Sequence, residues 1–87
     1  MKKIIMFVIR GCPYCMQARK LMMELKKEHP AYQNVEVDMI DENVHPEIAQ
    51  KYDYYYVPTF FVEDKKYHEG VPSAEKIQAV FEAAIAE

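Results

Sequence analysis

Residues 4–19 read IIMFVIRGCPYCMQAR, and in this stretch two cysteines lie between an apolar run and a helical pattern. Residues 3–9 are almost all apolar, as in a central strand that is covered on both faces. Arg10–Gly11 break the run, and from Pro13 onward apolar residues recur at three- and four-residue steps. Pro13 suits the first turn of a helix because its nitrogen carries no hydrogen. The stretch therefore predicts a strand, a tight turn and a helix, with Cys12 at the junction.

The remaining elements follow from periodicity and turn signals. Residues 35–39 alternate like a strand, and a strand–helix–strand unit with this crossover is parallel and right-handed. Further on we expect a short helix at 46–52, a hairpin of strands at 59–63 and 66–69, and a last helix capped by Ser73 and ending near residue 86. The order β-α-β-α-β-β-α predicts an α/β fold, with a four-stranded mixed sheet and three helices in a single domain spanning residues 1–87.

Length, composition and charge limit the classes of function. With 87 residues, 51% of them hydrophobic, the chain can form one small domain with one core. The formal net charge is −3 and the lysines are scattered, so neither a nucleic-acid nor an anionic membrane surface is indicated. No apolar stretch has the length needed to cross a bilayer, and we find no export signal. We therefore expect a cytoplasmic monomer with no nucleic-acid or membrane partner.

Two cysteines with this spacing at a strand-to-helix junction have a specific chemical consequence. Cys12 would lie at the helix N-terminus, where free N–H groups and the helix dipole favour a thiolate, and Arg10 would add a positive charge nearby. Cys15, one turn further on the same side, is expected to be more buried. The Cys12 thiolate can attack a substrate disulfide, and Cys15 can then attack Cys12 and release the reduced product. The predicted catalytic residues are Cys12 and Cys15.

A metal site is the alternative reading of the cysteine pair. Zinc needs four protein ligands, or three and a water, and the remaining candidates (His29, His45 and His68) are not at ligand spacing. A single close pair of cysteines without an export signal favours redox chemistry over a disulfide scaffold. We therefore expect no bound metal and no dissociable cofactor, with a redox-active disulfide as the reactive group. A metal or iron–sulfur module that joins two chains through Cys12 stays the non-enzymatic alternative.

The residues around the cysteines also carry a family resemblance. The motif Gly11–Cys15 (GCPYC), preceded by a strand and Arg10 and followed by ARKL at 18–21, closely resembles the glutaredoxins. The resemblance covers essentially the whole chain, which contains no tryptophan, although thioredoxins usually carry one before the first cysteine. It implies a thioredoxin/glutaredoxin-like fold and a thiol–disulfide oxidoreductase that reduces protein or small-molecule disulfides, with glutathione as a possible co-substrate.

The resemblance extends to the substrate side of the site. The segment 57–59 (VPT) is similar to the cis-proline segment of the whole superfamily, which implies that Pro58 is cis and lies opposite Cys12. The backbone of Val57 would then pair with an incoming substrate strand or with the cysteinyl part of glutathione. Tyr14, between the cysteines, is expected to expose its ring beside the reacting sulfur. Gly70 would offer a further backbone contact.

The stretch 69–73 departs from glutathione-binding glutaredoxins. Those proteins commonly have a Gly-Gly pair after the last strand and an acidic residue a few positions later. Here Glu69 replaces one glycine and Ser73 stands where the acid is expected, so that 70–76 looks more like a thioredoxin. Glu69 would repel the carboxylates of glutathione, and a serine cannot neutralise its ammonium group. The candidate substrate- or glutathione-binding residues are Arg10, Tyr14, Val57, Pro58, Gly70 and Ser73.

The electron donor therefore has two candidates. Residues 10–15, which contain the cysteine motif, predict glutathione as the electron donor. Residues 69–73 predict a thioredoxin-type flavoprotein reductase as the donor. With the second donor the chain would be a thioredoxin-like electron donor to a specific partner enzyme. Disulfide-containing proteins are the expected substrates in either case.

Two further groups of side chains have weaker signals. Tyrosines cluster at 52–56, with a further one at 67, and we interpret them as covering the sheet and helix ends, with Tyr56 the best candidate for substrate docking. Core packing explains most of the methionines at 16, 22 and 23, although Met16 is expected to face outward beside the cysteines.

Overall fold

The computed structural model describes residues 1–86, which form a four-stranded sheet and three α-helices. The strands are β1 (Ile4–Val8), β2 (Val37–Asp41), β3 (Thr59–Val62) and β4 (Lys65–Glu69). The helices are α1 (Pro13–Glu28), α2 (Pro46–Ala49) and α3 (Ala74–Ile85), with a 3₁₀ turn at Pro30–Tyr32. This order confirms the predicted fold. Within residues 1–86, none of the helices has the length and apolar character that a membrane span requires.

The register of the sheet positions the cysteines. The strands run in the order β2-β1-β3-β4, with β1 parallel to β2 and the other neighbours antiparallel. Thr59 lies opposite Phe7 of β1 on one side and opposite Glu69 of β4 on the other. The chain following β1, the chain preceding β3 and the chain following β4 therefore meet at one end of the sheet.

Helices cover both faces of this sheet. On one face, α1 and α3 bury the larger cluster of side chains, which consists of Ile4, Met6, Ala18, Met22, Leu25, Tyr32, Val35, Phe60, Val62, Ile77, Val80, Phe81 and Ala84. On the other face, Phe7, Ile40 and Phe61 form a smaller cluster, against which Ile48 and Ala49 of α2 pack. The apolar stripe of α3 faces the larger cluster, with Ile85 half-buried at its end.

Several boundaries differ from the prediction. Strand β2 begins two residues later, because pairing starts where Val37 meets Ile4, and Val35 is buried in the core before the strand. Helix α2 ends at Ala49, and residues 50–52 continue as turns held by N–H donation to carbonyls three and four residues back. The hairpin turns at Glu63, whose φ of 55° is left-handed, so Lys65 already belongs to β4.

Candidate active site

The two cysteines are joined across the first turn of α1. Cys12 is the N-cap, with an extended backbone, and its sulfur accepts a hydrogen bond from the N–H of Cys15 at 3.2 Å. Pro13 occupies the first helical position, where a backbone N–H would lack an intrahelical partner. Gly11 has a φ of 79°, a left-handed conformation that glycine adopts without steric cost. The tight turn after β1 therefore places the Cys12 sulfur on the helix N-terminus, as predicted.

Burial distinguishes the two thiols. Both cysteines are free, with 8% of Cys12 and 4% of Cys15 exposed. The pKa of the Cys15 thiol is raised to about 12, mainly by burial and also by the hydrogen bond with Cys12 and the charge of Cys12. Cys15 is therefore held as a neutral thiol near neutral pH. The expectation that Cys15 is the more buried of the two agrees with this geometry.

A cis-proline segment lies at the same end of the sheet. The Val57–Pro58 peptide bond is cis, as the resemblance implies, and Pro58 is buried directly before β3. The N–H of Gly70 donates to the carbonyl of Pro58 at 2.9 Å, which joins the segment after β4 to the segment before β3. Val57 is half-buried against the smaller cluster. Three of the predicted binding residues are thus brought together by the sheet.

Glu69 has a structural role that the sequence reasoning missed. Its carboxylate accepts hydrogen bonds from the backbone N–H groups of Tyr55 and Tyr56, the latter at 2.8 Å, and its other oxygen accepts from the Lys66 ammonium at 2.7 Å. The pKa of Glu69 is lowered to about 2, mainly by the Lys66 contact and also by the two N–H donors. The carboxylate predicted to face a ligand instead holds the loop that leads to Pro58.

The remaining predicted residues lie around this end of the sheet. Ser73 caps α3 as predicted, and its hydroxyl accepts the N–H of Lys76 at 3.2 Å. Its oxygen therefore has an intramolecular donor. Arg10 is exposed in the turn before Cys12, and Tyr14 is 45% exposed, as expected for its place between the cysteines. The roles of these residues in binding stay predictions.

A cleft of about 380 Å³ opens beside the cysteines, on the side where α1 faces β2. Both cysteines line it, together with Arg10 and Arg19. Arg19 was missed by the sequence reasoning, although its spacing of four residues from Cys15 on α1 puts the two on one helix face. The cleft thus places two guanidinium-bearing residues and one carboxylate, that of Asp41, near the cysteine pair.

Glu42 is a second carboxylate close to the cysteines. It follows β2, and its backbone N–H donates to the carbonyl of Val8 at 3.0 Å, beside the end of β1. Its side chain accepts a hydrogen bond from the hydroxyl of Tyr54 at 2.9 Å, and its charge is the smallest of the causes that raise the pKa of Cys15. Within residues 1–86 there is no cluster of three histidine, cysteine, aspartate or glutamate residues that could hold a metal ion.

This architecture and its cysteine pair define a thioredoxin-like α/β protein, and they support a thiol oxidoreductase. A family model described as a thioredoxin domain matches residues 2–82. The chain belongs to this thioredoxin domain family. No curated protein matches it.

Solved structures agree with this assignment. A thioredoxin-like protein from Clostridium perfringens is 27% identical with a TM-score of 0.71, and the match covers 98% of this chain and 71% of that one. The thioredoxin-like protein BC3987 is 23% identical with a TM-score of 0.65, covering 90% and 99%. Oxidised thioredoxin from Plasmodium falciparum shares the fold at 17% identity, with a TM-score of 0.68 and coverages of 95% and 80%.

The role of Glu69 predicts a pH dependence of stability. Because its pKa falls from 4.5 to about 2 on folding, its stabilising contribution is complete above pH 4.5 and is lost as the pH falls toward 2. We expect wild type to lose more unfolding free energy across this window than Glu69→Gln, measured by urea unfolding at each pH. The exposed Glu36→Gln is the control and should follow wild type. Parallel curves for wild type and Glu69→Gln would contradict the assignment.

Proposed function

We propose that this protein is a thiol–disulfide oxidoreductase that reduces disulfides through a dithiol cycle of Cys12 and Cys15. The observation that carries the proposal is the pairing of a sulfur on a helix N-terminus with a buried thiol one turn away, held protonated by its surroundings. A helix N-terminus favours a negative charge at the first position, and burial keeps the thiol at the second position protonated. That division suits a nucleophile and a resolving thiol.

The reaction balances in two exchanges. The Cys12 thiolate attacks one sulfur of the substrate disulfide, the substrate S–S bond breaks, and the departing thiolate takes a proton. Cys15 then loses its proton and attacks the Cys12 sulfur of the mixed disulfide, which releases the second substrate thiol. The substrate gains two electrons and two protons, and the protein is left with a Cys12–Cys15 disulfide. An external thiol donor restores the dithiol.

Formation of the mixed disulfide also prepares Cys15 for the second step. Burial gives the main increase in the Cys15 pKa, but the hydrogen bond with Cys12 and the charge of Cys12 add to it. Once Cys12 is bonded to substrate, it carries no charge, and this contribution disappears. Cys15 therefore ionises more readily when its attack is needed than in the resting dithiol.

The substrate proposed here is a disulfide-containing protein. The cis Val57–Pro58 segment lies at the end of the sheet that carries the cysteines, and the resemblance assigns the Val57 backbone to pairing with a substrate strand. Glu69 supports this role, because its contacts hold Tyr55 and Tyr56 directly before the segment. We expect the protein to act as a monomer in the cytoplasm, where thiols are kept reduced.

The donor we favour is a thioredoxin-type reductase, with glutathione a poor substitute. The carboxylate of Glu69 and the hydroxyl of Ser73 are both engaged in contacts within the protein. Neither supplies the charge that would hold the γ-glutamyl end of glutathione. Each charge-assisted contact contributes about 1.5–3 kcal/mol, so the loss of two weakens binding by orders of magnitude.

Single cysteine variants test the catalytic cycle. Cys12→Ser should abolish reduction of a cystine-containing peptide, because no nucleophile remains at the helix N-terminus. Cys15→Ser should retain the first attack and accumulate a mixed disulfide with the peptide, detected by intact-protein mass spectrometry. The two variants control for each other, since each retains one thiol. Trapping by Cys12→Ser and not by Cys15→Ser would reverse the roles.

A comparison of reductants tests the donor. One model disulfide is reduced with dithiothreitol, with glutathione plus glutathione reductase, and with thioredoxin reductase plus NADPH. We expect turnover with dithiothreitol, weak turnover with glutathione, and faster turnover with thioredoxin reductase. Efficient, saturable turnover in the glutathione system alone would contradict the donor assignment and make the protein an ordinary glutaredoxin.

A further inference from the structure

The outer face of α1 exposes two large apolar side chains. Met16 and Met23 are 66% and 72% exposed, and they lie seven residues apart, two turns along one side of the helix. The exposure of Met16 and the packing of Met22 in the core were expected, whereas the expected packing of Met23 in the core is wrong. Methionine is usually buried, and where it is exposed its flexible thioether suits surfaces that adapt to a partner.

Positive charge is concentrated on the same segment. Residues 10–28 hold five of the eleven lysines and arginines but two of the fourteen acidic residues, Glu24 and Glu28, although the chain has a formal charge of −3. Arg19, Lys20 and Lys27 are exposed on α1. Lys26 differs from them, because its ammonium donates to the carbonyl of Val35 at 2.7 Å and so has a structural role. The segment is thus a positive surface on an acidic protein.

The methionines and the cations line one shallow groove along α1, together with one carboxylate, that of Glu24. We call the surface formed by Met16, Arg19, Lys20, Met23 and Lys27 the methionine–cation face. Met16 and Arg19 also line the cleft beside the cysteines, so the groove and the cleft are neighbours that share these two side chains. A protein substrate seated on the groove would therefore lie next to the cysteine pair.

We propose that the methionine–cation face docks acidic protein substrates, and this proposal rests on the proposed disulfide reductase function. Substrate carboxylates would pair with the cations, and an apolar substrate side chain would lie between Met16 and Met23. Complementary charge increases the rate of association and the selectivity among partners more than it increases the binding affinity. The face therefore raises kcat/KM for acidic disulfides, with little effect on the chemistry of a small neutral disulfide.

The test uses a charge-reversed face and a matched control. Lys20→Glu plus Lys27→Glu changes the face, and Lys51→Glu plus Lys65→Glu makes the same change in net charge elsewhere. Lys65 begins β4 at the end of the sheet away from the cysteines, and Lys51 follows α2 on the opposite face from α1. Both pairs are exposed.

Three disulfides serve as substrates, with dithiothreitol as donor in about 10 mM salt, where screening is weak. Two are cyclic peptides closed by a disulfide, which is flanked by Glu and Leu in one peptide and by Lys and Leu in the other. The third is hydroxyethyl disulfide. We expect the face variant to lose about tenfold in kcat/KM with the Glu peptide, and its kcat/KM with the Lys peptide should rise. In the control variant, kcat/KM for either peptide should change by no more than about twofold. Wild type and both variants should reduce hydroxyethyl disulfide at the same rate.

The apolar part of the face has its own variant. Met23→Gln keeps the charge, and it should lower kcat/KM for the Glu and Leu peptide several-fold while leaving hydroxyethyl disulfide unchanged. If the glutamates unfold α1, seen as a loss of helical circular dichroism, Lys20→Gln plus Lys27→Gln replaces them and should give a smaller loss of the same sign.

The outcomes separate the two proposals. Equal effects of the face and control variants, or no preference of wild type between the peptides, would overturn the docking proposal while leaving the reductase function in place. Failure of wild type to reduce any of the three disulfides would overturn the reductase function itself.

Discussion

The N–H of Cys15 donates to the sulfur of Cys12 across the first turn of α1, and the proposed chemistry depends on this contact. The contact needs a helix that begins directly after Cys12, which Pro13 favours, and a turn at Gly11 that leaves β1 sharply. It fixes the two sulfur-bearing side chains on one side of the helix. The same turn buries Cys15, and this burial is the main cause that raises the pKa of its thiol.

The other half of the site depends on the sheet. Antiparallel pairing of β3 with β1 brings Pro58 to the end of the sheet at which Cys12 lies, and pairing of β4 with β3 brings Glu69 there as well. Glu69 then binds two backbone N–H groups of the loop before Pro58. The Glu69 carboxylate, which would repel glutathione if it were free, thus makes its contacts within the protein. The replacement of a glutaredoxin glycine by Glu69 therefore stabilises the loop before Pro58.

Local patterns predicted most of the fold and part of the site. The apolar run, the cysteine junction and the Ser73 cap depend on neighbouring residues, so periodicity and capping rules reach them. Glu69 binds backbone groups 13 and 14 residues earlier, and no local pattern records such a contact. The predicted start of β2 was wrong for a similar reason. The register with β1 decides where pairing begins, and the alternation of residues 35–39 does not record that register.

The division of roles between the two thiols is the central claim, and selective alkylation tests it most directly. Fully reduced protein is treated with less than one equivalent of iodoacetamide near neutral pH, and the modified peptides are quantified by mass spectrometry. Cys12 should be labelled first, with Cys15 unmodified until Cys12 is consumed, because burial keeps the pKa of Cys15 near 12. Equal labelling of the two cysteines, or labelling of Cys15 first, would contradict the account.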